Sequence, residues 1–196
     1  MGAEAGGAGG TPRRFLALAV PEPQRARIAA ATASLRDAEA RLRPTAPEGW
    51  HLTLAYLGEV EDAAAERAIA VLRTALQEDA PRPAPRISVS GAGRFADRVL
   101  LLEVADDPPD ALAGFVAALH ARLREVGFEL PGRGFRAHLT LARARGRHRV
   151  RTADVAALDV PSVRWQPSAV GLWASTPDGP GGRYVVEAEV PWPAPG

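Results

Sequence analysis

His51-Leu52-Thr53-Leu54 and His138-Leu139-Thr140-Leu141 are one tetrapeptide written twice in a chain of 196 residues. At average residue usage, Leu-Thr-Leu follows a given histidine roughly once in two thousand cases. The chain has 4 histidines, so a chance pair is a poor explanation. An internal duplication is a better one, and it predicts two similar halves related by pseudo-symmetry.

Each copy reads as a strand that follows a helix. Successive side chains of a strand point to opposite faces, so His51 and Thr53 share one face while Leu52 and Leu54 share the other. His138 and Thr140 are set against Leu139 and Leu141 in the same way. The leucines anchor in a core, and the polar pair is left for solvent, a cleft or a partner. If the two strands lie side by side across a pseudo-twofold axis, two imidazoles and two hydroxyls converge on one point. That set suits phosphate chemistry: one imidazole activates water as a base and the other protonates the leaving oxygen as an acid. The hydroxyls of Thr53 and Thr140 can hold the non-bridging oxygens in line. A lone strand histidine beside a β-forming threonine is usually structural; the duplication argues against that here. A zinc site fits less well, because His-x-Thr offers too few ligands and neither Cys nor carboxylates flank it at metal spacing.

Working outward, residues 14–20 read as a buried strand ended by Pro21, and 23–42 as an amphipathic helix opening near a proline. Residues 44–49 are a loop, 50–57 a strand closed by Gly58, and 62–77 a second helix. Residues 86–90 and 98–104 form a hairpin with a longer loop through Gly91 and Gly93. A third helix over 109–126 is stopped by Gly127. Residues 131–134 are a loop, 135–142 a strand and 143–151 a basic loop. Residues 163–174 and 184–190 form a final hairpin around 177–182. The order β-α-β-α-β-β-α-β-β-β is that of an α+β protein, not a doubly wound parallel sheet. The Gly/Ala-rich residues 1–11 read as a disordered leader, and 12–196 as a single domain.

Composition removes several chemistries. There are no cysteines, hence no thiol nucleophile, disulfide or Cys-based metal site; a cytosolic, cytoplasmic protein fits. All 24 basic residues are arginine, which excludes Schiff-base, Walker A and adenylyl-lysine chemistry. A net charge of +1 argues against a broad nucleic-acid-coating surface and for local contacts. No run of about 18–20 apolar residues is available to span a membrane, and the N-terminus lacks a secretory signal. A monomer is the default expectation.

Arg14-Phe15-Leu16-Ala17-Leu18 with Pro21-Glu22, the segment Trp50-His51-Leu52-Thr53-Leu54-Ala55-Tyr56-Leu57-Gly58-Glu59-Val60, and Phe135-Arg136-Ala137-His138-Leu139-Thr140-Leu141-Ala142-Arg143 together resemble the 2H phosphoesterase superfamily. Within it they resemble the RNA 2′,3′-cyclic phosphodiesterases formerly called 2′-5′ RNA ligases. Tyr56 stands where that family usually carries Phe, and regular alternation points it away from the histidine face. The resemblance implies a bilobal α+β fold, with antiparallel sheets lining a central cleft and helices outside. It implies hydrolysis of RNA 2′,3′-cyclic phosphate ends to 2′-phosphomonoesters with no metal and no cofactor. It also implies His51 as proton donor to the leaving 3′ oxygen and His138 as proton acceptor from water. Competing readings keep the chemistry on small cyclic nucleotides, run it backwards as 2′-5′ RNA ligation, or reduce the chain to a non-catalytic nucleotide- or RNA-binding module.

Four further features bear on substrate. Arg136 shares the His138 face by alternation and is a candidate phosphate ligand. Arg143 falls on the opposite face of a regular strand and joins the site only if the chain bends there; the resemblance favours it as a phosphate ligand. The arginines of 143–151 are either an RNA-steering loop or a solvated one. Phe95 and Trp173 are expected in the core more than as base-stacking rings, and His120 is expected to be structural or exposed.

Overall fold

The computed structural model describes residues 11–38, 40–132, 134–175 and 184–194. The leader expected over 1–11 therefore lies, except for Thr11, outside the described residues. The strands are β1 (Arg13–Ala19), β2 (Leu42–Pro44), β3 (His51–Glu59), β4 (Arg86–Phe95), β5 (Val99–Asp107), β6 (His138–Ala144), β7 (Arg164–Trp165), β8 (Ala169–Ser175) and β9 (Tyr184–Pro191). The helices are α1 (Glu22–Ala31), α2 (Asp62–Glu78), α3 (Ala111–Glu125) and the short α4 (Thr152–Ala156). Two antiparallel sheets result, ordered β3-β1-β8-β9 and β2-β6-β5-β4-β7. This is the α+β architecture expected from the element order. Among the described residues no helix is long and apolar enough to cross a membrane.

The duplication is visible as a repeated unit. β1–α1–β3 and β5–α3–β6 are each strand, helix and antiparallel neighbour, and each returning strand carries the tetrapeptide. One face of each sheet is buried. Leu16, Leu18, Leu52 and Leu54 of one sheet and Leu100, Leu102, Leu139 and Leu141 of the other enter a single continuous core with α2 and α3. Each fully buried leucine contributes about 2 kcal/mol through the water it leaves. The opposite faces, bearing the histidines, are turned to the cleft. There β3 and β6 come into contact although they belong to different sheets.

Several boundaries differ from the sequence reading. The first helix ends at Ala31, where Thr32 bonds the Ile28 carbonyl through both its backbone N–H, at 2.9 Å, and its hydroxyl, at 2.8 Å. A 3-10 turn, Ala33–Ala38, follows, and Leu42 enters β2 beside β6 in place of a longer helix. Gly91 and Gly93 lie within β4, not in a loop, because the Glu103 side chain lies across them. A Cβ on either would stand 3.1 or 3.0 Å from a Glu103 carboxylate oxygen. The run 163–174 is cut between β7 in one sheet and β8 in the other, where Pro167 lacks the N–H a ladder needs. The turn expected at 177–182 lies outside the described residues.

Candidate active site

Alternation places His51 and Thr53 on the cleft face, and the next residue to follow them is decided by a bulge. Leu16 pairs with Ala55, but Ala17 pairs with Thr53, so Leu54 is an extra residue in β3. In the second unit Leu100 pairs with Ala142 and Leu101 with Thr140, so Leu141 is the extra residue in β6. An extra residue inverts the alternation beyond it. Leu54 and Ala55 are consecutively buried, as are Leu141 and Ala142, and Tyr56 and Arg143 are turned back onto the histidine face. Both therefore line the cleft. For Tyr56 this corrects the expectation from regular alternation; for Arg143 the bulge is the bend that its participation required.

Each bulged leucine carbonyl has its own hydrogen-bond donor. The Leu141 carbonyl accepts the Thr45 backbone N–H at 2.7 Å. The Leu54 carbonyl accepts the Nε2–H of His120, on α3, at 2.8 Å. His120 is thus structural, and its work is to satisfy a backbone group that the bulge would leave without a partner.

The two catalytic candidates are held alike. His51 Nδ1 lies 2.7 Å from the Gly49 carbonyl, and His138 Nδ1 lies 2.9 Å from the Arg136 carbonyl. A carbonyl only accepts, so Nδ1 carries the proton in each ring, and Nε2 is the acceptor nitrogen of the neutral form. Arg136 lies just before β6, which begins at His138. It pairs with Glu103, the residue opposite His138 on β5, and lies over the Phe95 ring that meets His138, 5.1 Å from its centroid, so it stays on the His138 side. It lines neither of the cavities described below.

Surroundings distinguish the two imidazoles. His51 is stacked on Phe15 at 4.7 Å, met edge-on by Tyr184 at 5.0 Å and backed by Trp173 at 5.2 Å. Burial in this box, with smaller contributions from the nearby His138 and Arg143, pushes its pKa down to about 4 against the opposing bond to Gly49. His138 meets Phe95 edge-on at 4.8 Å. Trp173 is buried as expected, but in a small cluster with Phe15 and Ala17 apart from the main core. Phe95 is half-buried at the cleft, not in the core.

The Trp173 ring lies over Gly171, where a Cβ would fall 2.6 Å from its Nε1. We expect Gly171→Ala to displace the ring and cost about 1–3 kcal/mol, with a parallel loss of any activity that needs His51 in place. Denaturant unfolding checks this, and a midpoint equal to wild type would show that the ring has room.

A cavity of about 60 Å³ lies between the two motifs, lined by His51, Thr53, His138, Thr140 and Arg143 among others. At ~30 Å³ per water it is of phosphate size. A larger one of about 230 Å³ adjoins it. No group of three or more His, Asp or Glu side chains suited to a metal ion occurs among the described residues. Of the basic loop, Arg143 reaches the cleft. Arg145 bonds the Leu42 carbonyl at 3.3 Å and Arg151 pairs with Asp154 at 3.1 Å, so these two serve the fold.

The model of the 2′-5′ RNA ligase superfamily matches residues 20–179. An RNA 2′,3′-cyclic phosphodiesterase of Methanothermobacter thermautotrophicus is 29% identical over 177 residues, 86% of this chain and 93% of its own. Escherichia coli LigT, solved with 3′-AMP, superposes with a TM-score of 0.70 at 25% identity, covering 92% of this chain and 98% of LigT. TT0787 of Thermus thermophilus shares the fold, with a TM-score of 0.70 at 24% identity over 93% of this chain and 98% of its own.

Proposed function

The chain belongs to the 2′-5′ RNA ligase superfamily of 2H phosphoesterases, and from that premise we propose that it opens the 2′,3′-cyclic phosphate at an RNA end to leave a 2′-phosphomonoester. The observation that carries this reading is the pair of Nδ1-anchored imidazoles on either side of one phosphate-sized cavity. The name of the archaeal relative and the 3′-AMP held by LigT favour a nucleotide phosphodiester as substrate.

In this reading His138 takes a proton from water as the water oxygen attacks phosphorus. The bond from phosphorus to the 3′ oxygen breaks, and His51 gives that oxygen its proton. Each turnover leaves His51 neutral and His138 charged, so the pair exchanges protons with solvent before the next. Thr53 and Thr140 donate to the non-bridging oxygens, and Arg143 offsets the charge that builds on them. Burial holds His51 neutral at pH 7. The anionic phosphate favours its protonated form, so arming the acid is coupled to binding.

The direct test is incubation of the protein in EDTA with a short RNA ending in a 2′,3′-cyclic phosphate. We expect a 2′-phosphate end, identified by phosphatase and by a 3′-end-specific enzyme. A 3′-phosphate product, or no turnover by folded protein, would overturn the proposal.

The pH dependence has a definite sign. His51 is the acid and must carry its proton, so the armed fraction of the free enzyme falls as pH rises through the His51 pKa. The profile of kcat/KM reports the free enzyme, and we expect one limb near pH 4, set by His51, not near the unperturbed 6.5. No limb near pH 4 would show that His51 is not held neutral by its box.

A further inference from the structure

The two imidazoles rest on carbonyls that are themselves held in different ways. Gly49, which serves His51, is buried in a 3-10 turn, Pro47–Gly49, with its own N–H on the Ala46 carbonyl at 2.9 Å. Secondary structure fixes that carbonyl. Arg136, which serves His138, lies in a stretch, 135–137, that belongs to no helix or strand. The Ala137 carbonyl accepts the Val104 N–H at 3.3 Å, and Arg136 is tied to the sheet through its side chain. Its guanidinium pairs with Glu103 and lies over Phe95, the ring that meets His138. Glu103 stands opposite His138 in the ladder of β5 and β6. Its carboxylate reaches over β4, into the space that Gly91 and Gly93 leave by having no side chain. A Cβ at 93 would stand 3.0 Å from Oε1, the oxygen that accepts from the guanidinium.

We propose that Glu103 is a positioning residue for His138: by holding the Arg136 guanidinium it fixes the carbonyl that sets the tautomer and the direction of the imidazole. Which ring nitrogen carries the proton is decided by the bond the other makes. With the carbonyl displaced, Nδ1 loses its acceptor and the neutral ring divides between two tautomers. Only one of them leaves Nε2 free to take a proton. The side chains of the pair are 58% and 38% exposed, so it contributes little to the stability of the fold. Its effect falls on the geometry of the base. This rests on the reading of His138 as the base and names what keeps it in place.

The test sets steady-state kinetics on a cyclic-phosphate RNA beside imidazole nitrogen NMR of the full chain. Glu103→Ala should lower kcat roughly 10- to 100-fold, the cost of a misplaced reacting group, and leave KM nearly unchanged. Its thermal midpoint should stay within about 4 °C of wild type. At about pH 8.5, where an imidazole of ordinary pKa is neutral, wild-type His138 should show a proton on Nδ1, in a signal assigned by its loss in His138→Ala. Glu103→Ala should move that signal toward the average of two tautomers. Glu103→Gln, which keeps an oxygen for the guanidinium, should restore most of the rate and of the signal. Gly93→Ala displaces the carboxylate while leaving it in the chain, and should shift both readouts in the same direction as Glu103→Ala. With an active wild type, three results would overturn the proposal: a fall in kcat with no change at the His138 nitrogens, a change there with no fall in kcat, or an alanine variant that matches wild type in both. If wild type opens no cyclic phosphate, the nitrogen signals alone decide the positioning, and the phosphodiesterase reading falls separately.

Discussion

Alanine at His51 or at His138 should lower kcat/KM on a cyclic-phosphate RNA by about 100- to 10,000-fold, the range that a positioned acid or base supplies. The two losses should not add. Acid and base serve one concerted displacement, so the double variant should be little slower than the worse single variant. Steady-state kinetics in EDTA, with folding checked by circular dichroism, measures this. The two variants should differ in stability. His138 stands partly open beside Phe95, and its removal should leave the fold nearly unchanged. His51 fills a box of Phe15, Trp173 and Tyr184, so alanine there opens a hole and should cost about 2–3 kcal/mol. His51→Gln, which keeps more of the volume, separates lost chemistry from lost packing. Either single variant retaining activity within tenfold of wild type would remove that residue from the acid–base pair.

Arg143→Gln should cost about 100- to 1,000-fold in kcat, the loss seen when one preorganised donor to a developing anion is removed. Arg143→Lys should recover only part of it, because an ammonium keeps the charge but not the planar fork that meets two oxygens at once. The same substitution to glutamine has a second signature. Arg143 helps to hold the His51 pKa down, so removing its charge should move the His51 limb of kcat/KM upward from about 4. Glutamine at Arg136, paired with Glu103 outside both cavities, should leave that limb in place. If Arg143→Gln is as active as wild type, the guanidinium has no part in holding the phosphate.

The asymmetry of the two halves is where duplication has given way to division of labour. Both motif strands carry the same bulge, at Leu54 and at Leu141, and both bulges present the fifth residue after the histidine to the cleft. In one half that residue is Tyr56 and in the other Arg143. One symmetric scaffold thus presents an aromatic ring and a guanidinium from equivalent positions. Phe15, Trp173 and Tyr184 enclose His51, and Phe95 meets His138 edge-on.

By itself the sequence determined the α+β class, through the order of its elements, and, through the repeated tetrapeptide, the duplicated strand–helix–strand unit and the shared face of each His–Thr pair. These follow from the two-residue period of a strand and the 3.6-residue period of a helix, which are local properties of the backbone. Tertiary structure decided where that period breaks. The bulges that bring Tyr56 and Arg143 into the cleft depend on register with β1 and β5. Their carbonyls are satisfied from α3 and from the residue after β2, 66 and 96 positions away in the chain. Strand alternation counts only neighbours, so it sent both residues to the wrong face. The depressed pKa of His51 is of the same kind. It comes from rings on β1, β8 and β9 that no window of sequence around His51 contains, because burial is a sum over everything packed against a group.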